Sequence, residues 1–142
     1  MSQLLTPEVE AALTAGHLAH LVTINPDGSP QASIIWVGVE GDEIVSGHLP
    51  LNKKLRNVQR DPRVTISMQL PGRNAWGLDH YLVVEGTARV TEGGAAELLQ
   101  RLAYVYLGPD VTFPGMPDPP PGYVLRTTPT KVRGVLPWGE GS

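Results

Sequence analysis

The chain has 142 residues, a formal net charge of −3 and no cysteine. One domain with one core is expected at this length, and the missing thiols exclude disulfides, thiolate zinc sites, iron–sulfur clusters and cysteine nucleophiles. The acidic balance argues against nucleic-acid binding, and no apolar run approaches the roughly 20 residues of a membrane span.

The opening Met-Ser-Gln-Leu-Leu-Thr-Pro-Glu lacks the basic and apolar regions of a signal peptide, so a cytoplasmic address is expected. The 16 Gly and 14 Pro imply many turns. Thr6-Pro7-Glu8 is a helix start, with a hydroxyl cap, a first-turn proline and an acid at the positive dipole end. Val9, Ala12 and Leu13 give that helix an apolar face, and Gly16 stops it. Leu18 to Ile24 reads as a strand. Asn25-Pro26-Asp27-Gly28-Ser29 is turn chemistry. Pro30 to Val39 then reads as a second strand, Gly41-Asp42 as a turn, and Glu43 to Ser46 as a third strand.

Leu51, Leu55 and Val58 recur at helical spacing, so residues 51–60 form a short helix that Asp61-Pro62 ends. Residues 64–68 alternate as a strand, and 70–79 read as a loop. His80 to Val90 is a long strand whose interior Gly86 predicts a bulge or a barrel bend. Gly93-Gly94 opens a helix over 95–106. Residues 107–122 hold six Pro and three Gly, and a breaker-rich loop of this length is usually functional or disordered. Two last strands, 123–127 and 132–136, flank Thr128-Pro129-Thr130. The expected fold is mainly β, of the α+β kind: a small closed antiparallel barrel of six or seven strands with two or three short helices packed on it.

Three of the 11 cations are Lys, and Lys53 and Lys54 are adjacent. The segment Asn52-Lys53-Lys54-Leu55-Arg56-Asn57, followed by Arg60 and Arg63, opens the short helix just after a strand end. Helix N-termini offer free N–H groups and partial positive charge, so this segment is suited to a phosphate. Ser46 and Gly47 border it. The competing reading, a solvated cationic face, weighs about equally on charge alone. On the second strand Gln31, Ser33, Ile35 and Val37 share a face; the polar pair would suit the edge of a ring, but without a ligand an edge or solvent-facing strand side is the weightier reading. Of the four His, His48 stands out beside the basic segment. No metal-ligand spacing, nucleophile turn or paired carboxylate emerges, so any catalysis rests on a cofactor. Trp138 near the C-terminus is expected to dock on another surface.

Four segments in order resemble the pyridoxamine 5′-phosphate oxidase-like, flavin-binding split barrels. They are Thr23–Gln31 as the first hairpin, Asn52–Val64 as the phosphate-binding helix and next strand, Val84–Ala88 in the long strand, and Thr128–Gly134 as the last hairpin. The short chain and the Lys-Lys-Leu-Arg-Asn form are most similar to the deazaflavin-dependent reductases of actinobacteria, which use coenzyme F420. The resemblance implies a homodimer with cofactor sites at the interface and a small-molecule substrate. It implies Lys54 and Arg56 on the phosphate, assisted by Lys53 and Asn52 and bordered by Ser46 and Gly47. Gln31 and Ser33 would lie at the ring edge, and Trp138 would come from the partner chain. Hydride would pass from reduced deazaflavin to an enone- or quinone-like carbon, with a proton from water or a hydroxyl such as that of Tyr81 or Tyr106. The alternatives are an FMN-dependent oxidoreductase of the same fold and a non-catalytic cofactor-binding barrel.

Overall fold

The computed structural model describes residues 4–139. Helix α1 (Pro7–Leu13) starts on the expected cap, with Thr6 Oγ1 accepting from Val9 N at 3.2 Å. Seven strands follow: β1 (Ala19–Ile24), β2 (Pro30–Ile35), β3 (Gly38–Glu40), β4 (Glu43–His48), β5 (Arg63–Arg73), β6 (Asp79–Glu92) and β7 (Tyr123–Val135). Helix α2 (Lys53–Arg60) joins β4 to β5, and α3 (Ala95–Tyr106) joins β6 to β7. All strand pairs are antiparallel, in the order β2-β1-β5-β6-β7-β4-β3. This is the expected α+β split-barrel arrangement.

β2 and β3 are consecutive in the chain yet lie at opposite edges of the sheet. The stretch expected as one strand over 30–39 therefore breaks at Trp36-Val37. The physical reason is a competitor for the strand ladder that comes from α3. The Val37 amide donates to Tyr106 Oη at 3.1 Å, and Trp36 stacks on the Tyr106 ring at 5.3 Å. The expected loop over 70–79 is a tight hairpin instead. β5 runs on to Arg73, and only residues 74–78 turn, closed by Asn74 N donating to Leu78 O at 2.9 Å.

The last two expected strands are one. β7 passes through Pro129, which sits at the register shift where Glu85 pairs with Lys131 and Gly86 with Pro129. A proline is tolerated there because the ladder is already interrupted. Gly86 confirms the expected irregularity: a Cβ built on it would lie 2.4 Å from Thr128 O.

The main core, which includes Leu13, Leu21, Leu55, Ile66, Leu82 and Leu125, fills the barrel beneath α1 and α2. A smaller cluster of Val45, Leu98, Leu102 and Val124 seats α3 on β4 and β7, with Trp36 and Tyr106 packed against it. The segment after α3 is tied down by Gln100, which donates to Val111 O at 2.9 Å and accepts from Phe113 N at 2.9 Å.

Candidate cofactor cleft

A cleft of about 230 Å³ opens where the start of α2 meets the ends of β2 and β4. Gly47, His48 and Lys54 form its polar end, while Leu18, Ile34, Trp36, Leu99 and Phe113 form apolar walls. Each polar residue arrives by an ordinary route. β4 ends at His48. Asn52 caps α2, with its Oδ1 accepting from Leu55 N at 3.3 Å. Leu55 and Val58 bury the helix on the barrel, which leaves Lys53 and Arg56 exposed and Lys54 half-buried at the cleft.

The charge bookkeeping singles out this helix. Arg63, Arg73, Arg89, Arg101, Arg126 and Arg133 each meet a carboxylate within 3.2 Å. Arg60 donates to the Ile24 carbonyl. Lys53, Lys54 and Arg56 have no ion pair among the described residues, and away from α2 only Lys131 shares that state. Burial pushes the Lys54 ammonium below its usual range, which raises the value of an anionic partner.

Ser46 and His48 lie on one face of β4, and Ser46 Oγ is 2.8 Å from His48 Nε2. Burial, and then the Lys54 charge, push the His48 pKa down to about 4, so the imidazole is neutral at pH 7. Between them Gly47 admits α3: a Cβ there would lie 3.0 Å from Leu99 Cγ and 3.2 Å from Ala95 O.

The Gln31–Ser33–Ile35 face of β2 turns inward, while Ala32 and Ile34 face outward. Asn57, a buried α2 residue absent from the sequence-based site, organises this face. Its Nδ2 lies 3.1 Å from Thr23 Oγ1, 3.0 Å from Asn25 Oδ1 and 3.0 Å from Gln31 Oε1. Ser33 Oγ is buried and has no hydrogen-bond partner among the described residues. Trp138 lies just past β7 and is 39% exposed. The two tyrosines named as proton sources differ in placement. Tyr106 donates its hydroxyl proton to His17 O at 2.7 Å, whereas Tyr81 is exposed on β6, away from the cleft. Among the described residues no group of three His, Asp or Glu could hold a metal, and no helix is long and apolar enough to cross a membrane.

The seven-stranded split barrel is a flavin- or deazaflavin-binding oxidoreductase fold. The family model described as pyridoxamine 5′-phosphate oxidase matches residues 5–136, and the chain belongs to that family. Among solved structures, the chain is similar to an F420 reductase at 26% identity and TM-score 0.71, over 87% of this chain and 94% of the other. It is similar to the conserved hypothetical protein Rv2991 from Mycobacterium tuberculosis at 23% identity and TM-score 0.70, over 95% and 84%. It shares the fold of an FMN-binding protein from Syntrophomonas wolfei subsp. wolfei at 12% identity and TM-score 0.64, over 90% and 84%. No curated protein matches the chain.

Proposed function

We propose that the protein is an oxidoreductase that holds a phosphorylated flavin-type cofactor at the start of α2. The observation that carries this reading is the set of cations with no ion pair among the described residues, Lys53, Lys54 and Arg56, gathered on a helix whose N-terminus borders the cleft. Charge-assisted bonds to phosphate are among the stronger hydrogen bonds, and a half-buried lysine gains most from them. The orphaned Ser33 hydroxyl fits a second polar partner at the ring edge, beside Gln31.

Lys54 and Arg56 would hold the phosphate. Lys53 assists, as does Asn52 through the amide NH₂ its capping bond leaves free. Ser46 and Gly47 border the group, and the neutral His48 adds no competing charge or repulsion. The bound group supplies hydride transfer to a small electrophile of the enone or quinone class. The chain supplies orientation and a shielded apolar surface through Trp36 and Leu99. The cleft is smaller than an ordinary ligand pocket of about 300 Å³ or more, which supports completion by a second copy and a role for Trp138 of that copy.

FMN is the cofactor that family membership favours. A second reading, coenzyme F420, has its own support in the 26% identity to an F420 reductase and in the Lys-Lys-Leu-Arg-Asn segment. Titrating FMN and F420 separately into the purified protein, followed by absorbance, decides between them. Turnover of the bound form with menadione then tests catalysis. Binding of neither cofactor contradicts the proposal, and binding without turnover reduces the protein to a carrier barrel.

A further inference from the structure

The segment between α3 and β7 contributes one side chain to the cleft, and that side chain is the only phenylalanine in the chain. Phe113 packs against Trp36 with ring centroids 5.1 Å apart, and Trp36 in turn stacks on Tyr106 at 5.3 Å. Tyr106 is itself fixed at both ends of its hydroxyl, by Val37 N and His17 O. The Phe113 backbone is held from the opposite side. Gln100 accepts from Phe113 N and donates to Val111 O, so one α3 amide uses both its donor and its acceptor to pin the segment.

We propose that Phe113 is the specificity-determining wall of the substrate site, that Gln100 positions it, and that the substrate it selects is flat, uncharged and apolar. The inference rests on the oxidoreductase reading and deepens it by naming what faces the substrate. The chemistry of the cleft is divided. Its one cation, Lys54, and its neutral imidazole, His48, lie together at the α2 end. The other end presents Phe113, Trp36 and the half-open side chains of Leu18 and Ile34, 55% and 60% exposed, with no charged group among the lining residues. A cationic substrate would lose hydration against that wall with nothing to replace it, and an anionic one would find Lys54 already committed to the cofactor phosphate. A planar conjugated carbonyl compound would gain ring contacts with Phe113 and Trp36 instead. The two hydrogen bonds between Gln100 and the segment make the wall a fixed surface, so its selectivity is built into the chain before anything binds.

The test uses the whole protein with its tryptophan indoles ¹⁵N-labelled, and Trp36→Phe identifies the Trp36 signal. Menadione is titrated into cofactor-free protein. The Trp36 indole resonance is expected to shift, and Phe113→Ala and Gln100→Ala should each weaken the apparent Kd about tenfold. Gln100→Glu keeps an acceptor for Phe113 N while losing the bond to Val111 O. It should fall between wild type and Gln100→Ala, which separates positioning from misfolding. In turnover, both alanine variants should raise KM for menadione about tenfold with kcat within about twofold, the pattern of lost uniform binding. Cofactor affinity should stay within about twofold of wild type. An unshifted Trp36 signal in wild type overturns the wall whatever the cofactor does, and so does a Phe113→Ala variant that loses cofactor but keeps menadione. A shifted Trp36 signal in a protein that binds neither cofactor supports the wall and overturns the oxidoreductase reading alone.

Discussion

Asn57 on α2 and Gln31 on β2 are joined by a hydrogen bond of 3.0 Å from Asn57 Nδ2 to Gln31 Oε1. The same nitrogen reaches Thr23 and Asn25, so one amide fastens the cationic helix to the first hairpin. Gln31 Oε1 is thereby occupied, which leaves the Gln31 NH₂ as the group available to a ring.

That relationship predicts an unusual ranking of variants. Asn57→Ala removes a buried donor from three oxygen acceptors and should destabilise the protein by about 2 kcal/mol in urea unfolding. Asn57→Asp is nearly the same shape, but it places a carboxylate against those oxygens. It should be the worse of the two, and a milder effect than alanine would contradict the donor role.

His48 predicts a pH dependence. Its pKa is about 4 in the folded chain against 6.5 unfolded, so the unfolded state binds the extra proton in between. The stability this provides is complete above pH 6.5 and is lost as pH falls toward 4, on the order of 3 kcal/mol in all. His48→Asn should flatten the urea midpoint over that window. An unchanged slope would mean that the imidazole is not desolvated.

Glu40 predicts a second, lower window. Its hydrogen bond to Arg101, and then that to Arg126, hold its carboxyl below the usual value of 4.5. A depressed carboxylate stabilises above its unfolded pKa and loses that contribution as pH falls through the folded one. Glu40→Gln should therefore lose stability at pH 7, and that loss should shrink as pH falls below 4.5. The pair is partly exposed, so the loss is modest and shrinks in salt.

Two glycines separate close approach from backbone freedom. Gly86→Ala drives a Cβ into the β7 backbone, 2.4 Å from Thr128 O, and should destabilise by several kcal/mol. Gly28 has φ of +88° with nothing within 4 Å, so Gly28→Ala should lose only about 1 kcal/mol. Equal losses in thermal unfolding would contradict the bulge as the tighter contact.

What the sequence disclosed follows the range of the forces involved. The Thr6 cap, the Asn25–Ser29 turn and the Gly86 irregularity are decided within a few residues, and the structure has all of them. The break at Trp36-Val37 was hidden because its cause, Tyr106, lies 69 residues away. Asn57 was missed for the same reason, since its acceptors are 26 to 34 residues distant. Its placement between Leu55 and Val58 on the buried side of a short helix was the available signal. Phe113 also had one, as the sole phenylalanine inside a stretch crowded with proline. The basic segment was legible as a segment, but the division of labour within it was not. Asn52 Oδ1 caps the helix and Lys54 faces the cleft, a difference set by helix rotation on the barrel.

The central claim is that α2 grips a phosphate beside the cleft, and the direct measurement is cofactor affinity in Lys54→Ala against Arg89→Ala. Arg89 is a fair control because Glu43 already engages it at 3.0 Å. Titration with whichever of FMN and F420 the wild type binds should show Lys54→Ala weakened about 30-fold, on the order of 2 kcal/mol. Arg89→Ala should stay close to wild type. Equal affinities in the two variants would contradict the phosphate site at α2.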